Sequence, residues 1–109
     1  MPESEKRSIL IIDDDKTIRK LINHHLKLNN FTPFEAENSL QAFDILKKEK
    51  IDLVLSDVTM EGMDGFEFCK KVRENENHRF LPFIFVTAKN TLEDKSMAVE
   101  SGGDDIITK

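Results

Sequence analysis

Residues 8–15 read SILIIDDD, and this stretch decides the fold. SILII (8–12) is an almost continuous apolar run rich in isoleucine, cut off by Asp13, Asp14 and Asp15. A run without polar alternation has both faces buried, as central strands of parallel sheets do. From Lys16 to Asn30, the apolar residues Ile18, Leu21, Ile22 and Leu26 recur at helical spacing, and Asn29 with Asn30 supplies a stop. A strand, an acidic turn and a helix make the first half of a βαβ unit.

The same pattern repeats outward. Phe31 to Ala36 is a second strand, and Pro33, which cannot donate to a ladder, places it at a sheet edge. Asn38 with Gln41 resembles a helix cap, and Ala42, Ile45 and Leu46 continue a second helix to the charged Lys47–Lys50 end. IDLVLS (51–56) is a third strand ending in Asp57, followed by the loop MEGMDG (60–65) and a helix carrying Phe66, Phe68, Cys69 and Val72. Pro82 precedes FIFVT (83–87), Thr91 to Ser101 is a fourth helix stopped by Gly102 and Gly103, and Asp105 to Thr108 is a fifth strand. The order βαβαβαβαβ predicts one α/β domain, a parallel sheet with helices on both faces. No helix follows the last strand, so one outer face is expected to be partly uncovered and the domain trimmed at its carboxyl end.

Composition narrows the function. The 109 residues carry 16 Lys plus Arg against 21 Asp plus Glu, a net charge of -5, which argues against direct nucleic-acid binding. No apolar run nears the roughly 18 residues that span a bilayer, and MPESEKRS has no signal core, so a cytoplasmic location is expected. A single cysteine excludes an internal disulfide and disfavours a structural zinc site.

In parallel sheets the ligand site forms at the carboxyl ends of the strands. Asp13 and Asp14, Asp57, Thr87 and Lys109 all fall there. Three converging carboxylates repel unless one is protonated or a cation lies among them, and a donor set of oxygens alone suits magnesium. With a lysine and a hydroxyl opposite, this is machinery for phosphoryl transfer, Asp57 being the nucleophile.

ILIIDDD, LVLSDVTMEGMDGFE, FVTAK and GGDDIITK, in this order and over nearly the whole chain, resemble the receiver domain of two-component response regulators. The resemblance implies a flavodoxin-like, doubly wound five-stranded parallel sheet in the order 2-1-3-4-5, with residues 1–109 as one receiver domain lacking its last helix. It implies Asp57 as phosphoacceptor, with Mg2+ (or Mn2+) held by Asp13, Asp14, Asp57 and the backbone carbonyl of Thr59. Thr87, Ala88 and Lys109 would bind the phosphoryl group and register its arrival. The implied partner is a histidine kinase or histidine phosphotransfer protein, and homodimers are compatible with the family. Thr59 and Lys89 are expected to tune dephosphorylation.

Four features depart from the family pattern. Glu61 stands where proline is usual, Ile106 replaces the usual aromatic switch residue, Gly103 replaces a more common alanine with little expected consequence, and the proline and final helix that normally follow Lys109 are absent. Ile106 therefore becomes the candidate for output coupling.

Two rival functions are set against this one. Asp13, Asp14, Asp15, Lys16 and Thr17 spell D-x-D-x-T, as in haloacid-dehalogenase-like phosphatases, with Thr87, Lys95, Asp104 and Asp105 available for later motifs. The other rival is a receiver-like module that signals by docking without phosphate. Blander expectations cover the rest: Asp15 and Asp64 as helix caps, His25 partly packed, His24 and His78 without a site role, Cys69 and the eight phenylalanines as core.

Overall fold

The computed structural model describes residues 6–88 and 91–109. Its elements run β1 (Ser8–Ile12), α1 (Lys16–Leu28), β2 (Thr32–Ala36), α2 (Ser39–Lys48), β3 (Leu53–Ser56), α3 (Gly65–Glu74), β4 (Phe83–Thr87), α4 (Leu92–Ser101) and β5 (Asp105–Thr108). All neighbouring strands are parallel, in the order β2-β1-β3-β4-β5. This is the expected doubly wound sheet, with Pro33 on an edge strand. The polar stretch 75–79 contains a short 3-10 turn, Glu76–His78.

Side-chain caps set the helix starts. Asp15 accepts from the amides of Thr17 and Ile18, Asn38 from Gln41, and Asp64 from Glu67. Thr91 and Asp94 form a reciprocal capping box. Gln41 does not close such a box, since its side chain accepts instead from the Glu37 amide. At the other end of α1, Asn29 is the cap and Asn30 turns the chain with φ 71°.

Alternation along the strands divides the apolar residues between two layers. Leu10, Ile12, Ala36, Val54, Phe83 and Phe85 face α2, α3 and α4, which contribute Ala42, Leu46, Phe66, Phe68, Cys69, Val72 and Ala98. Phenylalanines dominate this layer: Phe43 stacks on Phe68, Phe68 on Phe83, and Phe85 touches both Phe83 and Phe66, with ring centroids 4.9–5.8 Å apart. Of the eight expected in the core, Phe80 stands in solvent and the half-buried Phe31 lies outside this layer.

The opposite layer is thinner. Ile9 and Ile11 are buried on the side that carries α1, whereas Leu53, Leu55, Ile84 and Val86 are half-buried and Ile107 is exposed. The predicted apolar stripe of α1 is correspondingly incomplete. Ile18, Ile22 and Leu26 are half-buried, Leu21 is 54% exposed, and the buried residue of the helix is Arg19. His25 is exposed too, since the main packing partners of α1 are β1 and β2.

Gly103 matters more than the sequence suggested. A Cβ there would overlap the Phe85 ring and approach the Ala98 carbonyl oxygen at 3.1 Å. The absent methyl group is the space the ring fills. Gly103→Ala is expected to cost about 1–3 kcal/mol by overpacking. Adding Phe85→Leu should recover part of that loss, and urea unfolding of the two single variants and the double variant measures the coupling.

Candidate functional site

Three loops meet at the carboxyl edge of the sheet. β1 leads directly into Asp13 and Asp14, and β3 into Asp57, whose amide donates to the Ile12 carbonyl at 2.9 Å, joining the two strand ends. One carboxylate oxygen from each of Asp13, Asp14 and Asp57 lies within 4.8 Å of the others. Asp13 and Asp57 are buried, at 2% and 7% exposure, and Asp14 is open to solvent.

Lys109 reaches this cluster from the end of β5. Its Nζ lies 2.8 Å from Asp13 Oδ2 and 3.4 Å from Asp57 Oδ2. Its amide donates to the Thr87 carbonyl at 2.8 Å, so the lysine backbone and the end of β4 are tied together. Thr87 is buried at that end, on the same face of β4 as Phe85, and Ala88 follows in an exposed bend.

Asp57 is held from its own loop as well. The Val58 amide donates to Oδ1 at 2.8 Å, which leaves Oδ2 facing Lys109. Gly65 at the start of α3 donates its amide to the Val58 carbonyl. A Cβ at Gly65 would collide with the Asp57 carbonyl oxygen and lie 3.0 Å from Val58 Cα, so the helix approaches this closely only with glycine there.

Burial pushes the Asp57 carboxyl up from its ordinary value, the Asp13 charge adds to the rise, and the Lys109 ammonium opposes both. Burial pulls the other way on Lys109, yet its bonds to Asp13 and Asp57 outweigh it and hold the ammonium above its usual range. The lysine is therefore a firm cation between two carboxylates. A set of carboxylate oxygens without histidine or cysteine suits a hard divalent cation, and the residues present fit magnesium or manganese.

Other candidates lie elsewhere. Thr59 is exposed, two residues beyond Asp57, and Glu61 is exposed in the same loop. Ile106 pairs with Phe85 in register, packs against the core and lines a cavity of about 340 Å3 between α4 and β5. Lys89 lies outside the described residues. The phosphatase constellation is not assembled: Asp15 is committed to capping α1, and Asp104 accepts from the Phe83 amide at the opposite, amino end of β4.

Glu35 is a charged centre that no sequence motif marks. On β2, Glu35 accepts from Arg19 at 2.9 Å, Lys20 at 2.9 Å and Asn23 at 2.8 Å. Burial raises its pKa, but the two cations outweigh burial and the carboxyl ends below its ordinary value. A depressed carboxyl contributes stability that is present above the unfolded pKa, near 4.5, and is lost as pH falls through the folded value. Glu35→Gln should therefore be less stable than the parent at neutral pH, and the difference should shrink below about pH 4 in urea titrations.

Comparison with known proteins agrees with this geometry. Residues 9–109 match the response regulator receiver domain family. The heme response regulator HssR of Staphylococcus aureus (strain Newman) is 34% identical over 100 residues, covering 92% of this chain and 43% of HssR. The chain thus spans less than half the length of such relatives. Among solved structures, the chemotaxis protein CheY4 of Vibrio cholerae superposes with a TM-score of 0.92 at 29% identity, covering 95% of this chain and 87% of that one. The receiver domain of the Francisella response regulator 1452 gives 0.86 at 28% identity, covering 95% and 84%. With the sheet order, the acidic cluster and the family match in agreement, the chain belongs to the response regulator receiver domain family.

Proposed function

We propose that this chain accepts a phosphoryl group on Asp57 and converts its arrival into a change of shape. The observation that carries this reading is the buried Asp13 and Asp57 pair bridged by the Lys109 ammonium, with the Asp14 carboxylate beside it. Asp57 Oδ2 attacks in line the phosphorus of a phosphohistidine on a histidine kinase or histidine phosphotransfer protein. The new O–P bond forms as the P–N bond breaks, and the imidazole nitrogen leaves with the electron pair. A small acyl phosphate serves equally, acetate then being the leaving group. Lys109 opposes the rise that burial and the Asp13 charge impose on the Asp57 carboxyl, and so favours the ionised form that attacks.

Asp13, Asp14, Asp57 and the Thr59 carbonyl would hold Mg2+ or Mn2+, which would neutralise charge on the transferring oxygens. The phosphorylated aspartate carries about -1.5 to -2 charge, taking the value for other phosphoryl groups. Thr87, Ala88 and Lys109 meet that charge in this reading. Lys109 must then leave Asp13, and the hydrogen bond its amide donates to the Thr87 carbonyl couples the two strand ends. Ile106, on the strand that ends in Lys109, transmits the shift to the α4–β5 cavity. Thr59 and Lys89 set the lifetime of the phosphorylated state.

In this reading residues 1–109 are the phosphoacceptor unit of a longer cytoplasmic protein, and a segment after Lys109 covers the half-exposed layer of Leu53, Leu55, Ile84, Val86 and Ile107. Homodimerisation is compatible with it. Direct contact with nucleic acid or membrane is not part of it, and no described helix is long and apolar enough to cross a bilayer.

Incubation with acetyl phosphate and magnesium, followed by intact-mass measurement, tests the proposal. One phosphoryl group is expected on the parent chain, none on Asp57→Asn, and none when EDTA is present. Uptake that survives Asp57→Asn would overturn it. No uptake from acetyl phosphate or a kinase would favour a module that signals by docking alone.

A further inference from the structure

Arg19 has no part in the function just proposed, yet it is the buried charge of α1, with a side chain only 7% exposed. A guanidinium removed from water is costly unless its fork of donors is met. Nε donates to Glu35 Oε1 at 2.9 Å, and Nη1 donates to the main-chain carbonyl of Asp13 at 2.8 Å. Nη2 lies 3.8 Å from Glu37 Oε1.

Asp13 is thereby gripped from every side. Its amide donates to the Ala36 carbonyl at 3.2 Å, Oδ1 accepts from the Asp15 amide at 2.9 Å, and Oδ2 meets Lys109. Asp15 caps α1, and its carbonyl accepts the Arg19 amide at 3.0 Å. The contacts close a ring from Asp13 through Asp15 and one helical turn to Arg19 and back to the Asp13 carbonyl.

We propose that Arg19 is a positioning residue for the cation-binding half of the pocket, fixing the carboxyl end of β1 so that the Asp13 carboxylate is presented in one orientation. The inference rests on the cation site described above. Two effects of Arg19 oppose each other. Its positive charge repels an incoming divalent cation, whereas its bond to Asp13 preorganises a ligand. Glu35 is shared between the guanidinium and the Lys20 ammonium, and Glu37 nearby brings a second carboxylate, so two cations stand against two carboxylates, the local charge nearly cancels and preorganisation wins. Removing Arg19 therefore weakens cation binding although it deletes a positive charge, a sign opposite to that of electrostatics alone.

Manganese affinity, read from the electron paramagnetic resonance signal of free Mn2+, tests this on the parent chain, Arg19→Gln, Arg19→Lys and Glu35→Gln, with urea unfolding of each. Arg19→Gln is expected to weaken binding about tenfold, by analogy with the partners that orient metal ligands. Arg19→Lys, which keeps the charge but not the fork, should fall between it and the parent. Glu35→Gln breaks the same buried pair but leaves the bond to Asp13, and should change affinity less than about threefold. Unchanged or tighter binding in Arg19→Gln overturns the proposal, as does a loss of affinity that merely follows loss of stability in both the Arg19 and Glu35 variants. Should Arg19→Gln fail to fold, Arg19→Lys binding no more weakly than Glu35→Gln overturns it. A parent chain that binds no manganese removes the cation site itself and this inference with it.

Discussion

Gly65→Ala is expected to destabilise the domain by about 2 kcal/mol or more and to slow phosphoryl uptake at least tenfold in the molecules that remain folded. Gly65 opens α3 directly beneath the phosphoacceptor loop, and an added Cβ would collide with the Asp57 carbonyl oxygen and crowd Val58 Cα. Both are backbone atoms and cannot swing aside as a flexible side chain would. Alanine gains at most about 1 kcal/mol of helix propensity over glycine, and that gain is smaller than the clash. Relief requires α3 to withdraw or the loop after β3 to shift, and either movement displaces Asp57 from Lys109. Urea unfolding gives the first effect, and the rate of mass increase with acetyl phosphate gives the second. A variant that takes up phosphate at the parental rate would show that the loop absorbs the methyl group without moving Asp57.

Arg73→Met should be as costly to stability, about 3 kcal/mol, while leaving uptake per folded molecule nearly unchanged. Arg73 of α3 donates from Nε to the Gly102 carbonyl at 2.9 Å, and from Nη1 to the carbonyls of His78, Arg79 and Leu81. One side chain thus fastens the 3-10 turn, the approach to β4 and the end of α4 to a single helix. Its ion pair with Asp104, 3.2 Å long, is 60% exposed on the aspartate side and contributes little by itself. Asp104→Asn, which keeps an acceptor for the Phe83 amide, should accordingly cost under about 1 kcal/mol. Lysine cannot reproduce the fork, so Arg73→Lys should recover less than half of the loss. Because these contacts lie at the amino ends of the strands, Arg73→Met and Gly65→Ala separate stability from the geometry of the pocket.

The strands were legible because their signals are local, whereas their order in the sheet came from the family resemblance. SILII, LVLS and FIFVT are short apolar runs bounded by breakers, and the residues that end them are the site residues themselves. Asp13, Asp14 and Asp57 converge because β1 and β3 are neighbours in register, a consequence of the strand order. What could not be read depends on contacts across elements. Nothing in the sequence distinguishes Arg19 or Arg73 from the other cations, since their roles come from carbonyls and carboxylates far along the chain. Helical spacing predicted burial of Leu21 but could not show that α1 packs chiefly on β1 and β2 and leaves Leu21 exposed. The weight carried by Gly103 is visible only once Phe85 is seen to occupy the missing Cβ.

The most direct test of the central proposal asks which atom carries the phosphoryl group. An acyl phosphate on aspartate is reduced by borohydride to homoserine, whereas a phosphohistidine is not. The chain should be phosphorylated with acetyl phosphate and magnesium, reduced and digested, and its peptides sequenced by mass spectrometry. Homoserine at position 57 and at no other aspartate is the expected result. Homoserine at Asp13 or Asp14, or phosphate retained on His24, His25 or His78, would contradict the assignment of Asp57 as phosphoacceptor.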